Sequence, residues 1–354
     1  MKNNETLICN SYDIAKAVYR GYGVDTDRVL EIFDTIPISV HNWQGDDVTG
    51  FESMEGVASQ NLVTGNYPGR ARNGDELRAD MEKAFSLSPC KTRVNIHSMY
   101  GEPGTTPRNE LTVKDFSKWI DWAKERGYGI DFNVSFFTHP RMRNGFSLAS
   151  QDKETRDYWI KAGKGGREIA AEIGKEIGQV CINNIWIPDG FKDIPANRFA
   201  FREYLEDSLN QIFEERYPKE YVRDVLEGKL FGIGIECFTV GSHEFYLAYA
   251  VKHGLGICMD TGHYHPTESI VDKISSVINF VDTLLLHISR GVRWDSDHVL
   301  IQGDDLTAIM QEVVRGNLHN SGKLFLGLDY FDASINRVAA WTIGLRAAGK
   351  ALLT

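Results

Sequence analysis

Apolar and polar positions along the chain repeat in a fixed order. A short run of branched aliphatic or aromatic residues is followed by a polar or Gly/Pro-bearing loop, then by a stretch whose apolar residues recur at three- and four-residue steps. Eight such runs are present, at residues 37–43, 93–100, 129–136, 180–188, 230–238, 255–261, 283–289 and 323–331. The amphipathic stretches between them include 75–85, 113–125, 155–177, 199–215 and 269–280, and in the fourth of these Phe201, Leu205, Leu209 and Ile212 share one helical face. Asn73 with Glu76 and Thr112 with Asp115 have the spacing of a capping box, which marks two helix starts. Strands that alternate with helices pair in parallel, and eight units are the number that closes into a (β/α)8 TIM barrel. The pattern therefore predicts an α/β chain with one domain over 1–354, made of a short N-terminal helical segment (1–36) and the barrel (37–350).

No low-complexity linker interrupts the series. The longest irregular segment, 44–74, follows the first strand and is rich in Gly, Asn and Asp, with Asn66, Pro68 and Gly69 near its end. Structureless loops of this length are uncommon in compact domains, so this long loop between the first strand and its helix is expected to be a functional lid.

The candidate chemistry lies in the last four runs, each of which ends in one acid or one imidazole: Glu236, Asp260, His287 and Asp329. Side chains two apart on a strand share a face, so Gly232, Gly234 and Glu236 oppose Ile233 and Ile235, and Gly327 and Asp329 oppose Leu326 and Leu328. With the aliphatics turned to the helices, all four polar groups point into the barrel near its C-terminal mouth. Three carboxylates converging there cannot all remain ionised and unpaired, and a divalent cation resolves the conflict. Oxygen and imidazole ligands suit Mn, Mg, Co or Zn.

A second set follows directly. Past the sixth strand the chain reads Asp260-Thr261-Gly262-His263-Tyr264-His265-Pro266, and past the seventh Arg293-Trp294-Asp295-Ser296-Asp297-His298. Asp295 and Asp297 offer two carboxylates on one side of a loop, and with a neighbouring histidine they suit a more open cation site. His263 is favoured over His265 as that ligand. Taken singly, each of these residues is more often a turn or cap residue, and it is their matched positions that argue for a site. Trp43, His97 and Trp186 sit at strand ends and are candidate substrate contacts, whereas Lys192 and Lys229 read as solvated or capping charges. The chain lacks a nucleophile elbow, a phosphate-cradling loop and a dinucleotide fingerprint, so no nucleotide or organic cofactor is expected.

Composition narrows the class. With 42% hydrophobic and 25% charged residues over 354 positions, the chain has the makeup of a globular protein with a sizeable core. A formal net charge of −10 argues against a nucleic-acid partner, since phosphate binding needs clustered Lys and Arg. Cys9, Cys90, Cys181, Cys237 and Cys258 are odd in number and scattered without a C-x-x-C pair, which reads as reduced thiols. No apolar run approaches a bilayer span and residues 1–20 do not read as a signal peptide, so no membrane partner and a cytoplasmic location are expected.

At its motifs the sequence resembles the L-rhamnose isomerase family. The stretches that carry the resemblance begin with His41-Asn42-Trp43-Gln44-Gly45-Asp46-Asp47, Thr64-Gly65-Asn66-Tyr67-Pro68-Gly69 and Asn184-Ile185-Trp186-Ile187-Pro188-Asp189-Gly190. They continue with Lys229-Leu230-Phe231-Gly232-Ile233-Gly234, Gly262-His263-Tyr264-His265-Pro266 and Val292-Arg293-Trp294-Asp295-Ser296-Asp297-His298, and end with 328–337. The family is similar to xylose isomerase in fold and in its use of two metal ions.

The resemblance implies an aldose–ketose isomerase acting on L-rhamnose and L-rhamnulose. It implies a structural metal on Glu236, Asp260, His287 and Asp329, a catalytic metal, usually manganese, on His263, Asp295 and Asp297, a mobile loop after the first strand, and a homotetramer. A hydride shift between C1 and C2 is the expected route, with His263, Asp295 and Asp329 in catalytic roles; the rival route is an enediol with Asp329 as base. Family members are expected to extend beyond Thr354, which bears on oligomer contacts and on none of the ligands. Two alternatives from other classes are a metal-dependent hydrolase or phosphodiesterase on a similar barrel, and a non-catalytic sugar or metal sensor.

Overall fold

The computed structural model describes residues 2–52 and 65–354. Residues 53–64, the middle of the 44–74 loop expected to act as a lid, lie outside the described residues, as does Thr64 of the resembling stretch. Two helices lead in. α1 (Lys2–Gly21) is largely exposed and is tied to α2 (Thr26–Phe33) by Tyr12 and Lys16, both of which bond Asp27. α2 starts at Asp25, whose carboxylate accepts from Arg28 N at 3.2 Å, and buries Phe33 against the barrel.

Eight parallel strands follow: β1 (Pro37–His41), β2 (Lys91–His97), β3 (Gly129–Asn133), β4 (Cys181–Ile185), β5 (Val222–Glu227), β6 (Gly256–Asp260), β7 (Leu284–Ile288) and β8 (Leu324–Leu328). Each pairs with its sequence neighbours, and β8 returns to β1 with Ser39 opposite Gly327, closing the barrel. The outer ring is α3 (Gly74–Ser86), α4 (Ser117–Arg126), α5 (Lys153–Ile177), α6 (Arg198–Ile212), α7 (His243–His253), α8 (Val271–Ile278), α9 (Asp304–Arg315) and α10 (Arg337–Leu353).

The main core lies between strands and helices, with Trp119, Trp159 and Trp341 fully buried. A smaller apolar cluster fills the barrel itself: Ile182, Val225, Cys258 and Leu285. Capping matches the sequence signals. Asn73 accepts from Glu76 N at 2.9 Å, and Thr112 with Asp115 forms a reciprocal capping box ahead of α4. No helix among the described residues is long and apolar enough to cross a membrane.

One expected strand is misplaced. Residues 230–238 do not join the barrel; the fifth strand is Val222–Glu227. Val222-Arg223-Asp224-Val225 looks too polar for a buried strand, but Asp224 is neutralised in place by Arg167 of α5 and accepts from Asn183 Nδ2 at 2.8 Å. The run at 230–238 is instead a loop in which Gly234 takes φ +82° and Ile233 is 84% exposed. Its end, Phe238–Thr239, pairs antiparallel with Gly190–Phe191 of the loop after β4 and forms a small ribbon.

Candidate metal centre and active site

Four strand ends deliver ligand-type side chains to the C-terminal mouth. Asp260 is the last residue of β6 and pairs in register with His287 of β7, Glu227 ends β5, and Asp329 follows β8 directly. Ligand atoms of Glu227, Asp260, His287 and Asp329 all lie within 4.8 Å of one another, and all four residues are buried. His287 Nδ1 stands 3.2 Å from Glu227 Oε2 and 3.1 Å from Asp329 Oδ2, yet among the described residues no hydrogen bond satisfies it, and none satisfies Asp329 Oδ1. Buried polar atoms left without partners are costly. A ring nitrogen facing two carboxylates without an aligned N–H is the arrangement that a cation between them satisfies.

The acid from the fifth strand is Glu227, not Glu236. Glu236 is exposed, and its carboxylate is held low by the backbone amides of its own residue and of Gly234 in the turn. The faces assigned from an extended 232–236 segment do not exist, because the turn at Gly234 breaks the two-residue alternation.

One of these groups also belongs to a second, more open cluster. Asp260, His263 and Asp295 offer ligand atoms mutually within 4.8 Å, so Asp260 belongs to both clusters. The turn after β6 sets this geometry: Gly262 N donates to Asp260 Oδ1 at 2.7 Å, and a Cβ on Gly262 would overlap Asp295 Oδ1. His263 turns Nδ1 to Glu227 Oε1 at 3.0 Å and Nε2 to Asp295 Oδ2 at 3.6 Å. Asp297, with φ 43°, lies beside Asp295 but outside the closest set. His265 is exposed and bonds Thr267 instead.

Lys229, which the sequence presents as a solvated charge, is in fact at the site. Its ammonium lies 2.5 Å from Asp295 Oδ2 and 5.4 Å from the centre of the Trp186 ring, with the side chain 14% exposed. Lys192 stays on the surface.

The charges are crowded. Burial raises Asp260 to about 7, with the Glu227, Asp295 and Asp329 carboxylates adding to the shift and His263 opposing it. Burial also raises Asp297 and Asp329, with neighbouring acids reinforcing both shifts. Burial opposes protonation of His263, but Asp260, Asp295 and Glu227 outweigh it and hold the group up at about 9. Glu227 is pulled low against its burial by His287 and His263, and Asp295 is pulled low against its burial by His263 and Lys229. Acids that share protons and imidazoles that retain them mark a donor set with more negative charge than its own cations balance, so the residues present fit divalent metal.

An aromatic wall faces this polar side. Trp43 stacks on His97 at 4.0 Å, and Phe137, Phe331 and Trp186 continue the surface. The indole N–H groups of Trp43 and Trp186 are buried with no hydrogen-bond partner among the described residues. His41 links wall and cluster, with Nδ1 2.8 Å from His97 Nε2 and Nε2 3.4 Å from His287 Nε2. His41, Phe137, Phe331 and Glu227 are not singled out by the residue pattern, which presents Lys229 only as a solvated charge. For His41 the available signal was its place at the end of β1, the same signal that marked His97 on β2.

Buried acids and imidazoles opposite an aromatic wall, open at a barrel mouth, suit a polyhydroxylated molecule with one apolar edge. A family profile described as L-rhamnose isomerase (RhaA) matches residues 6–354. The chain is 53% identical over 353 residues to L-rhamnose isomerase of Rhodopirellula baltica, covering 99% of this chain and 82% of that protein. It is 50% identical over 350 residues to that of Mannheimia succiniciproducens (98% and 83%), and 48% identical over 351 residues to that of Listeria innocua (99% and 83%). Among solved structures it is similar to a D-allulose 3-epimerase from Methylomonas, with TM-score 0.55, 11% identity and coverage of 90% and 95%. A 3-keto-D-glucoside 4-epimerase from E. coli gives TM-score 0.53, 13% identity and coverage of 80% and 98%. At these identities the structural likeness speaks for the barrel alone. The sequence relationship supports the isomerase reading and gives no support to the hydrolase and sensor alternatives.

Proposed function

The chain belongs to the L-rhamnose isomerase family, and from that premise we propose that it interconverts L-rhamnose and L-rhamnulose by moving hydrogen between C2 and C1 of the open-chain sugar at the barrel mouth. The observation that carries this reading is the sharing of Asp260 between a closed cluster (Glu227, Asp260, His287, Asp329) and an open one (Asp260, His263, Asp295). A closed set anchors, and an open set leaves positions for substrate oxygens. The first would hold the structural ion and the second, with Asp297, the catalytic ion; manganese is the proposed metal, with zinc, cobalt or magnesium as alternatives. Bound divalent metal supplies positive charge that polarises the sugar carbonyl and orients its hydroxyls.

The chain's own groups do the remaining work. Lys229 and the indole N–H groups of Trp43 and Trp186 offer donors to the sugar oxygens, and His97 adds a ring nitrogen. The faces of Trp43, Phe137 and Phe331 suit the deoxy end of the sugar and keep water from it. Hydride transfer is favoured because Asp295 is paired with Lys229 and Asp329 belongs to the closed ligand set that would hold the structural ion, so neither stands free as a base. Supporting a cytoplasmic setting without nucleic acid are the free cysteines and the net charge of −10. The proposed homotetramer is consistent with the exposed row Leu7, Ile14 and Val18 on α1.

The test is turnover of C2-deuterated L-rhamnose by chelated protein to which single divalent metals are restored in turn. Activity regained with manganese, with deuterium retained in L-rhamnulose, is the expected result. Full washout of label transfers the chemistry to the enediol route with Asp329 as base, and no turnover with any metal refutes the assignment.

A further inference from the structure

The inner face of the barrel changes character within one layer. Above lie the acids and imidazoles, and below lies the apolar plug of Ile182, Val225 and Leu285. At the boundary stands Cys258, two residues before Asp260 on β6 and therefore on the same inward face, paired in register with Glu227. Its Sγ, a carboxylate oxygen of Glu227 and a ring nitrogen of His287 lie within 4.8 Å of one another, and all three residues are buried. His287 Nδ1, on a side chain with no exposure, has no hydrogen-bond partner among the described residues. The thiol is free and 1% exposed.

We propose that Cys258, His287 and Glu227 form a second, softer coordination set that takes a thiophilic divalent cation such as Zn2+ or Cd2+ one layer below the oxygen-rich cluster. The inference rests on the reading that this end of the barrel binds divalent metal. Hard ions favour the carboxylates of Glu227, Asp260 and Asp329, whereas a thiolate with an imidazole selects soft ones. Binding replaces the S–H bond of Cys258 with a metal–sulfur bond; the proton leaves to solvent and no oxidation state changes. Glu227 and His287 are common to both sets, so a soft ion on Cys258 withdraws two ligands from the upper site. A hard and a soft ion thus compete for the same residues from different depths.

The test uses the full chain carrying Cys9→Ser and Cys237→Ser, which removes the two exposed thiols, titrated with Cd2+ alone. Binding is followed by equilibrium dialysis, and thiolate coordination by the ultraviolet sulfur-to-cadmium charge-transfer band. A band that saturates at one equivalent, and is lost when Cys258→Ser is added while near-ultraviolet circular dichroism is unchanged, is the expected result. Cd2+ bound without the band in the Cys9→Ser/Cys237→Ser protein overturns the inference and leaves the upper cluster standing, and this outcome does not depend on the folding of the Cys258 variant. A band of equal strength in the folded Cys258→Ser protein assigns it to Cys90 or Cys181 and also overturns it. No Cd2+ binding at all removes both this inference and the metal reading beneath it.

Discussion

Glu227 and His263 meet through Oε1 and Nδ1 at 3.0 Å, while the other oxygen of the same carboxylate faces His287 Nδ1 at 3.2 Å. One acid therefore faces an imidazole of each of the two clusters, and Asn184 Nδ2 fixes it by donating to Oε2. Glu227→Gln preserves volume but turns a donor toward one of the rings. It is expected to lower kcat by about 100-fold or more and to weaken retention of divalent metal in dialysis. Glu236→Gln, in an exposed turn, is expected to stay within about twofold of the parent, as surface changes usually do. Comparable losses in the two variants would contradict the placement of the acid on the fifth strand.

Lys229 and Asp295 form the other decisive pair, at 2.5 Å across the open side of the site. Lys229→Met retains an apolar stem against Trp186 and removes the charge, so a drop of about 100-fold in kcat is expected, the usual cost of losing one preorganised donor. Asp295→Asn is expected to abolish turnover with the far-ultraviolet circular dichroism intact. Near-normal turnover by Asp295→Asn would remove that residue from the open metal site.

These two pairs also show where local pattern reaches its limit. Seven of the eight strands are legible because runs such as Leu324–Leu328 are apolar on both faces, as a parallel strand covered by helices and filled inside must be. The fifth escapes because Arg223 and Asp224 interrupt it, and what makes Asp224 tolerable there is Arg167, a residue on a helix far away in sequence. The 230–238 run imitates a strand through Ile233 and Ile235, and only the backbone at Gly234, with φ +82°, reveals it as a turn. Asp260, His263, His287, Asp295 and Asp329 are readable from position because each follows or ends a strand whose own pattern is clear. Lys229 is not, since a lysine beside a glycine reads as solvated until Asp295 is brought to it by the loop after β7.

Arg337 at the start of α10 clamps both stems of the loop after β1. It donates Nε to Asp47 Oδ1 at 3.1 Å, bonds the other oxygen through Nη2, and reaches the carbonyls of Tyr67 and Pro68. Both partners are buried, so Arg337→Met leaves the Asp47 charge uncompensated and is expected to cost about 3–5 kcal/mol in denaturant unfolding. Adding Asp47→Asn should recover part of that loss, because the orphaned charge goes with it. A single variant as stable as the parent would show that the clamp is not what holds the loop stems.

Asp46, the neighbour of Asp47, supplies a pH signature independent of the metal ligands. Burial raises its carboxyl to about 7, against the hydrogen bonds from Tyr100 OH at 2.5 Å and Gly50 N at 2.8 Å that favour the ionised form. Its unfolded value is near 4, so the folded state holds a proton that the unfolded state has released. The stability that this proton carries is fully present below about pH 4, falls as pH rises, and is gone above about pH 7, a span on the order of 4 kcal/mol by linkage. Asp46→Asn, which cannot ionise, should remove this slope. Unfolding free energies of the two proteins measured from pH 4 to 8 should therefore differ by an amount that changes steadily up to about pH 7 and is constant beyond it. A difference independent of pH across that window would mean that Asp46 is ionised throughout.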